Sequence, residues 1–141
     1  MSRSLREIEL TIGGAFTAEA YETIRHELWA PHRIQCDLAF PNFFYGAAQF
    51  DDLSKLEDFL VEKKVPFHIT YLLRDTNYSN VHYWRPGMEE PDQVPSDDEG
   101  EPKMSYHDLC MMRDKGCTLE DVITRLKAAR SNDVPALIIA P

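Results

Sequence analysis

The segment LREIELTI alternates apolar and polar residues: Ile8, Leu10 and Ile12 fall on one side, Glu7, Glu9 and Thr11 on the other. A period of two predicts a strand with one buried face. Gly13-Gly14 stops it, and Thr17 is placed to cap a helix over TAEAYETIRHELWA with Glu19 in its first turn. Ala20, Tyr21, Ile24 and Leu28 recur at helical spacing and form its inner stripe. RIQCDLAF alternates again, with Ile34, Cys36, Leu38 and Phe40 on one side. Pro41-Asn42 predicts a turn, and NFFYGAAQF the returning strand. Asp51 or Asp52 then caps a second helix whose stripe is Leu53, Leu56, Phe59 and Leu60, ending at Pro66. FHITYLLR reads as a further strand and VHYWRP as a fifth, joined by a turn at DTNYSN.

This order, βαββαβ with one added strand, predicts an α+β fold of the ferredoxin-like type. An antiparallel sheet would carry both helices on one face. The core would span residues 1–88, followed by an acidic mobile loop at 89–103. A C-terminal helical extension at 104–141 would pack back on the core and cover part of the other sheet face. Ser105 with Asp108 and Thr118 with Asp121 have capping-box spacing, so two short helices are expected there, with Gly116 ending the first. VPALIIAP is too apolar for a free tail and is expected to dock as an edge strand or against the helices.

Charge refines this picture. The chain of 141 residues has 24 acids and 15 bases, a net charge of -9. Seven of the acids lie between Glu89 and Glu101, in EEPDQVPSDDEGE, with no base among them. Without those seven the remainder carries only -2. The protein is thus a nearly neutral domain with one acidic segment, and its global charge says little about its partners. Pro91, Pro95 and Pro102 exclude a helix or a central strand there. The segment reads either as a solvated connector or as an interaction element. Apolar residues make up 43% of the chain, enough for a core without disulfide or metal staples. No apolar run approaches membrane-span length, no signal-peptide pattern opens the chain, and three cysteines form no framework, which together predict a cytoplasmic protein.

Candidate chemistry is sparse. FFYGAAQF resembles the third-strand motif of RNA-recognition domains, with Tyr45, Gly46 and Phe50 at matching places and IELTIGG where the first-strand motif stands. The resemblance implies a sheet that stacks unpaired bases on Tyr45. The pattern departs from the family at the leading basic residue, here Phe43, and at a second ring, here Ala47. Glu9 and Thr11 stand where the first strand would offer a ring, and acids on such a face repel phosphate. Nucleic acid is therefore not the expected partner. His107, Cys110 and Cys117 form H-x2-C-x6-C, but no fourth zinc ligand is evident beyond a guess at His82, and Cys110 serves equally as a small core residue. His26, His32, His68 and His82 are scattered outside any catalytic motif, so neither a catalytic residue, a metal nor a cofactor is expected.

The stretch NYSNVHYWRPGM is rich in residues that anchor interfaces: Tyr78, Tyr83, Trp84, Arg85 and Met88. It leads directly into Glu89, Glu90, Asp97, Asp98 and Glu99. These ten residues are the predicted partner-binding set, facing a protein with a basic surface. The expected function is a non-catalytic protein-binding module. One form of it is an acidic inhibitor, of a mobile-element or anti-defence type, that occupies the basic surface of a nucleic-acid-handling complex. The alternatives are a single-stranded nucleic-acid binder using Tyr45 and a small enzyme or metal protein.

Overall fold

A computed structural model describes residues 5–29, 34–36, 39–72, 79–97 and 99–140. Six strands form one antiparallel sheet: β1 (Leu5–Ile12), β3 (Gln35–Cys36), β4 (Phe43–Gln49), β5 (Phe67–Leu72), β6 (Ser79–Trp84) and β7 (Asp92–Ser96). Their order is β3-β4-β1-β5-β6-β7. Two short strands, β2 (Gly14–Thr17) and β8 (Leu137–Ala140), make a separate parallel ladder. The helices are α1 (Ala18–Trp29), α2 (Phe50–Glu62), α3 (Tyr106–Asp114) and α4 (Leu119–Ala128), with a 3-10 turn at Ser131–Asp133.

The α+β class is as the periodicity predicts, but the sheet is not the expected four-strand sheet with one added strand. Two strands extend it beyond β5. The segment RIQCDLAF contributes only two paired residues; Phe40 is exposed, and Leu38 lies outside the described residues. The glycine pair, expected as a simple turn into α1, starts β2. There the backbones run so close that a β-carbon on Gly13 would lie 1.8 Å from the carbonyl oxygen of Pro135. Only a residue without a side chain lets the C-terminal segment pass.

One face of the sheet carries the main core. Ile8, Leu10 and Ile12 of β1 are buried as their alternation requires, while Glu7 and Glu9 are exposed. Leu10 stands between Phe44 and Ile69 in register. Tyr21, Ile24 and Leu28 of α1 and Leu53, Leu56 and Leu60 of α2 close over them. Thr17 caps α1 by accepting a hydrogen bond from the amide of Ala20, 3.1 Å.

The other face is covered over β5, β6 and β7. Val81, Tyr83 and Val94 pack there with Ala129, Leu126, Ala128 and Met104 from the C-terminal segment. The loop expected at 89–103 is therefore corrected at its centre. Val94 is fully buried opposite Val81, which draws Asp92–Ser96 into the sheet as an edge strand. Pro95 is exposed on that edge, where its missing N–H costs no sheet hydrogen bond.

Candidate functional site

The aromatic stretch is spent on folding. Trp84 is 5% exposed; it packs in the main core and donates its Nε1–H to the Met88 carbonyl at 3.0 Å. Tyr83, also 5% exposed, donates its hydroxyl to Asp92 Oδ2 at 2.9 Å. Burial and the neighbouring Asp92 carboxylate push the Tyr83 hydroxyl well above the ordinary tyrosine range. Neither ring can serve as the surface anchor expected of it. Rings of this size on the two faces of a strand internal to the sheet are covered on both sides.

Arg85 is likewise turned inward. Nη1 donates to the carbonyls of Phe67 and Trp84, and Nη2 donates to that of Ala128 at 3.0 Å. The guanidinium carbon lies 5.5 Å from the centre of the Tyr83 ring. Met88 is half-buried, and its sulfur accepts from the Arg85 amide. Glu89, Glu90 and Glu99 are exposed. Asp97 instead organises its turn, with Oδ1 accepting from the amides of Glu99 and Glu101 at 2.9 Å each. Tyr78 and Asp98 lie outside the described residues.

Arg85 and His68 together receive the end of α4. His68 Nε2 donates to the Ala129 carbonyl at 2.8 Å while Arg85 holds Ala128. These are the carbonyls a helix leaves unsatisfied at its C-terminus. Burial lowers the His68 pKa from 6.5 to about 4.

Arg125 and Leu126 add to that attachment, but much of the helical pair is exposed. Both α3 and α4 start with complete capping boxes, as the spacing predicts, yet neither contains a buried residue. The predicted stripe of α4 leaves Leu119 73% and Ile123 48% exposed. Tyr106 is 84% exposed, and Leu109 and Met111 of α3 are exposed as well. Cys110 and Cys117 are half-exposed in the same helical hairpin. Among the described residues no group of three histidines, cysteines or acids is gathered as a metal would require, so His107, Cys110 and Cys117 do not converge.

A second constellation lies on the opposite sheet face. Glu57 projects from α2 among the core leucines and is 9% exposed. It accepts from the Tyr71 hydroxyl and from Nδ1–H of His82, whose distances to its two oxygens are 3.0 and 2.9 Å. These three side chains line a cavity of about 300 Å³ between α2 and the segment Glu90–Gln93. No sequence motif marks this group. Its signal is Glu57 itself, four residues after Leu53 and three before Leu60, a charge at an inward helical position.

Tyr45 is 44% exposed on the uncovered half of the sheet, its ring 6.3 Å from that of Phe43. Glu9 is its register partner, and Glu7 shares the same shallow depression. Among the described residues, no lysine or arginine lines that depression.

Comparison of the chain with protein-family models, with curated proteins and with solved structures gives no match. The geometry of the molecule is thus the basis for any functional reading. No helix among the described residues is long and apolar enough to cross a membrane.

Proposed function

We propose that the chain is a non-catalytic protein-binding module whose recognition surface is the helical pair α3–α4. One observation carries this reading: two well-capped helices have no buried residue and present Tyr106, Leu109, Met111, Leu119 and Ile123 to solvent. An amphipathic helix normally spends its apolar stripe on its own core. Here folding draws chiefly on the C-terminal half of α4, and Leu119 and Ile123 stay exposed. Exposed apolar groups such as Leu119 and Ile123, four apart on one face of α4, mark interaction surfaces where they form a patch. Methionine and tyrosine suit them, the first by adaptable shape and the second by a large area with few rotatable bonds.

The acids that remain exposed, Glu89, Glu90, Glu99 and Glu101, flank the edge strand. They support a partner with basic character, because such a field speeds encounter and orients approach. The inhibitor form of the reading, directed at the basic surface of a nucleic-acid-handling complex, rests on that charge alone. For the core we propose the ferredoxin-like plan, supported by the inner strand order β3-β4-β1-β5, with β6 and β7 added at one edge. The nucleic-acid alternative has the exposed Tyr45 ring in its favour and Glu7 and Glu9 against it.

Site-specific photo-crosslinking tests the reading. A photoreactive residue at position 123 should capture a discrete protein, and one at the exposed Lys63 should not. The capture should vanish when Leu119→Asp is added. Equal labelling from both positions, or none from position 123, would remove the helical pair as the recognition surface.

A further inference from the structure

The open half of the sheet carries a second surface, distinct from the helical pair. Glu7 and Glu9 of β1 and Tyr45 and Ala47 of β4 are exposed there. Register sets three residues in one row across it: Tyr45 of β4, Glu9 of β1 and Thr70 of β5. Residues paired in this way have Cβ atoms about 5 Å apart, so their side chains act together. At one end of the row the Tyr45 ring is stacked on Phe43, which is itself half-buried. At the other end lies the acidic segment. Thr70 is 5% exposed, and the turn after Asp97 rests on it: a β-carbon on Gly100 would lie 3.0 Å from Thr70 Oγ1. That contact and a φ of +83° both require glycine at this point. Glu99 and Glu101 are exposed on the same turn, where Glu101 also meets Arg130 at 3.8 Å. The acids are therefore held at the border of the aromatic surface.

Between these ends is the depression of about 270 Å³ lined by Glu7, Glu9, Tyr45, Ala47 and Leu72. Ala47 leaves it open where a larger side chain would fill it. A ring, a carboxylate and an apolar wall together call for a planar cation. Aromatic faces attract cations, and a guanidinium can lie flat on a ring while its N–H groups donate to a carboxylate. Its methylene stem suits the half-buried Leu72. A lysine ammonium is a strongly hydrated point charge and gains less from the same surroundings. An unpaired base could stack on Tyr45, but its phosphates would meet Glu7, Glu9 and the acidic turn.

We propose that this face docks an arginine-bearing segment of a protein partner. The guanidinium stacks on Tyr45 and donates to Glu9, its stem lies against Leu72, and further basic residues of the segment face the turn that carries Glu99. Charge and shape of the surface thus agree on one occupant. The acidic segment becomes the rim of a recognition face, joined to the ring through Glu9 and Thr70. The surface stands whether or not α3–α4 binds a partner of its own.

Nuclear magnetic resonance of the full chain tests this with a blocked Gly-Arg-Gly-Arg-Gly peptide as the probe. The same peptide with citrulline in place of arginine keeps the shape and loses the charge, and an oligouridylate stands for unpaired nucleic acid. The expected result is a saturable shift of the amide signals of Tyr45, Ala47 and Thr70 with the arginine peptide. Affinity should fall about threefold or more in Glu9→Gln, and by a similar factor in Tyr45→Leu. Both residues are exposed and both replacements suit a strand, so the variants fold. Leu119→Asp should leave the affinity unchanged, which separates this face from the helical pair. Absence of a saturable shift with the arginine peptide overturns the proposal. So does equal binding of the citrulline peptide, a response confined to Glu99 and Glu101, or undiminished affinity in both variants. A response to the oligouridylate alone would overturn it in favour of nucleic acid.

Discussion

Arg125 holds Asp92 with two nitrogens, Nε to Oδ2 at 2.8 Å and Nη2 to Oδ1 at 2.9 Å. The pair joins α4 to the edge strand β7 and so fixes the helical extension to the sheet. Asp92 also accepts the Tyr83 hydroxyl, and Arg125 Nη2 also reaches the Gln93 carbonyl. Burial alone would raise the Asp92 pKa, but the Arg125 and Tyr83 hydrogen bonds outweigh it and hold the carboxyl below its usual value. Asp92→Ala should therefore destabilise the fold by about 2 kcal/mol, since it strands a buried hydroxyl and a guanidinium together. The depressed pKa means that this contribution is complete above the ordinary carboxylate range and disappears as the group protonates in stronger acid. Urea unfolding at neutral pH and again in strong acid should show the difference between variant and parent shrinking toward zero.

His68 sets a second pH dependence. Its folded pKa of about 4 lies below the unfolded value of 6.5. The unfolded chain consequently takes up the proton first on acidification. The neutral buried ring contributes fully above pH 6.5, and its contribution falls away between 6.5 and about 4. A shift of this size corresponds to roughly 3 kcal/mol across that window. Arg85, close by and always charged, deepens the same shift. Replacing His68 with Gln removes the titrating group, so the thermal midpoint of the variant should be flatter over that interval than that of the parent. Parallel melting curves at each pH would assign the acid sensitivity elsewhere.

The close approach at Gly13 predicts a specific lesion. Gly13→Ala forces the methyl group into the Pro135 carbonyl. The variant should lose about 1–3 kcal/mol, the usual cost of overpacking, and the loss should be local to the ladder. Hydrogen exchange should speed at residues 137–140 and remain slow in β1 and β5.

The exposed stripe makes the opposite prediction. Leu119→Asp should change stability by no more than about 0.5 kcal/mol, because the residue is 73% exposed. Leu56→Ala, in the closed core, should cost roughly 2–5 kcal/mol. Side-by-side denaturation would show whether the apolar surface of α4 serves folding; a large loss from Leu119→Asp would mean that it does.

Local signals were the legible part of this chain. The alternation of LREIELTI, the stripes of α1 and α2 and both C-terminal capping boxes depend on residues within a turn or two of each other, and each is realised in the structure. What escaped depended on distant partners. Nothing near Gly14 announces that residues 137–140 will lie beside it. The strand at Asp92–Ser96 is masked by prolines and acids, and only Val94, between Gln93 and Pro95, hints at it. Trp84 and Tyr83 illustrate the same limit: aromatic residues suit an interface and a core equally, and the neighbours decide. Glu57 was open to reading, because helical periodicity alone places it inward.

The ladder between β2 and β8 also bears on the order of events during synthesis. Residues Leu5–Ser96, which contain the whole six-stranded sheet, leave the ribosome before the partner of Gly14–Thr17 has been made. The sheet can collapse early, while Ala15 and Phe16 wait for Ile138 and Ile139, the partners that register assigns them. Closing so long a loop is slow compared with local pairing. The parallel ladder is thus the last seam to form, and until it does the nascent chain presents one open strand edge to chaperones and to other copies of itself.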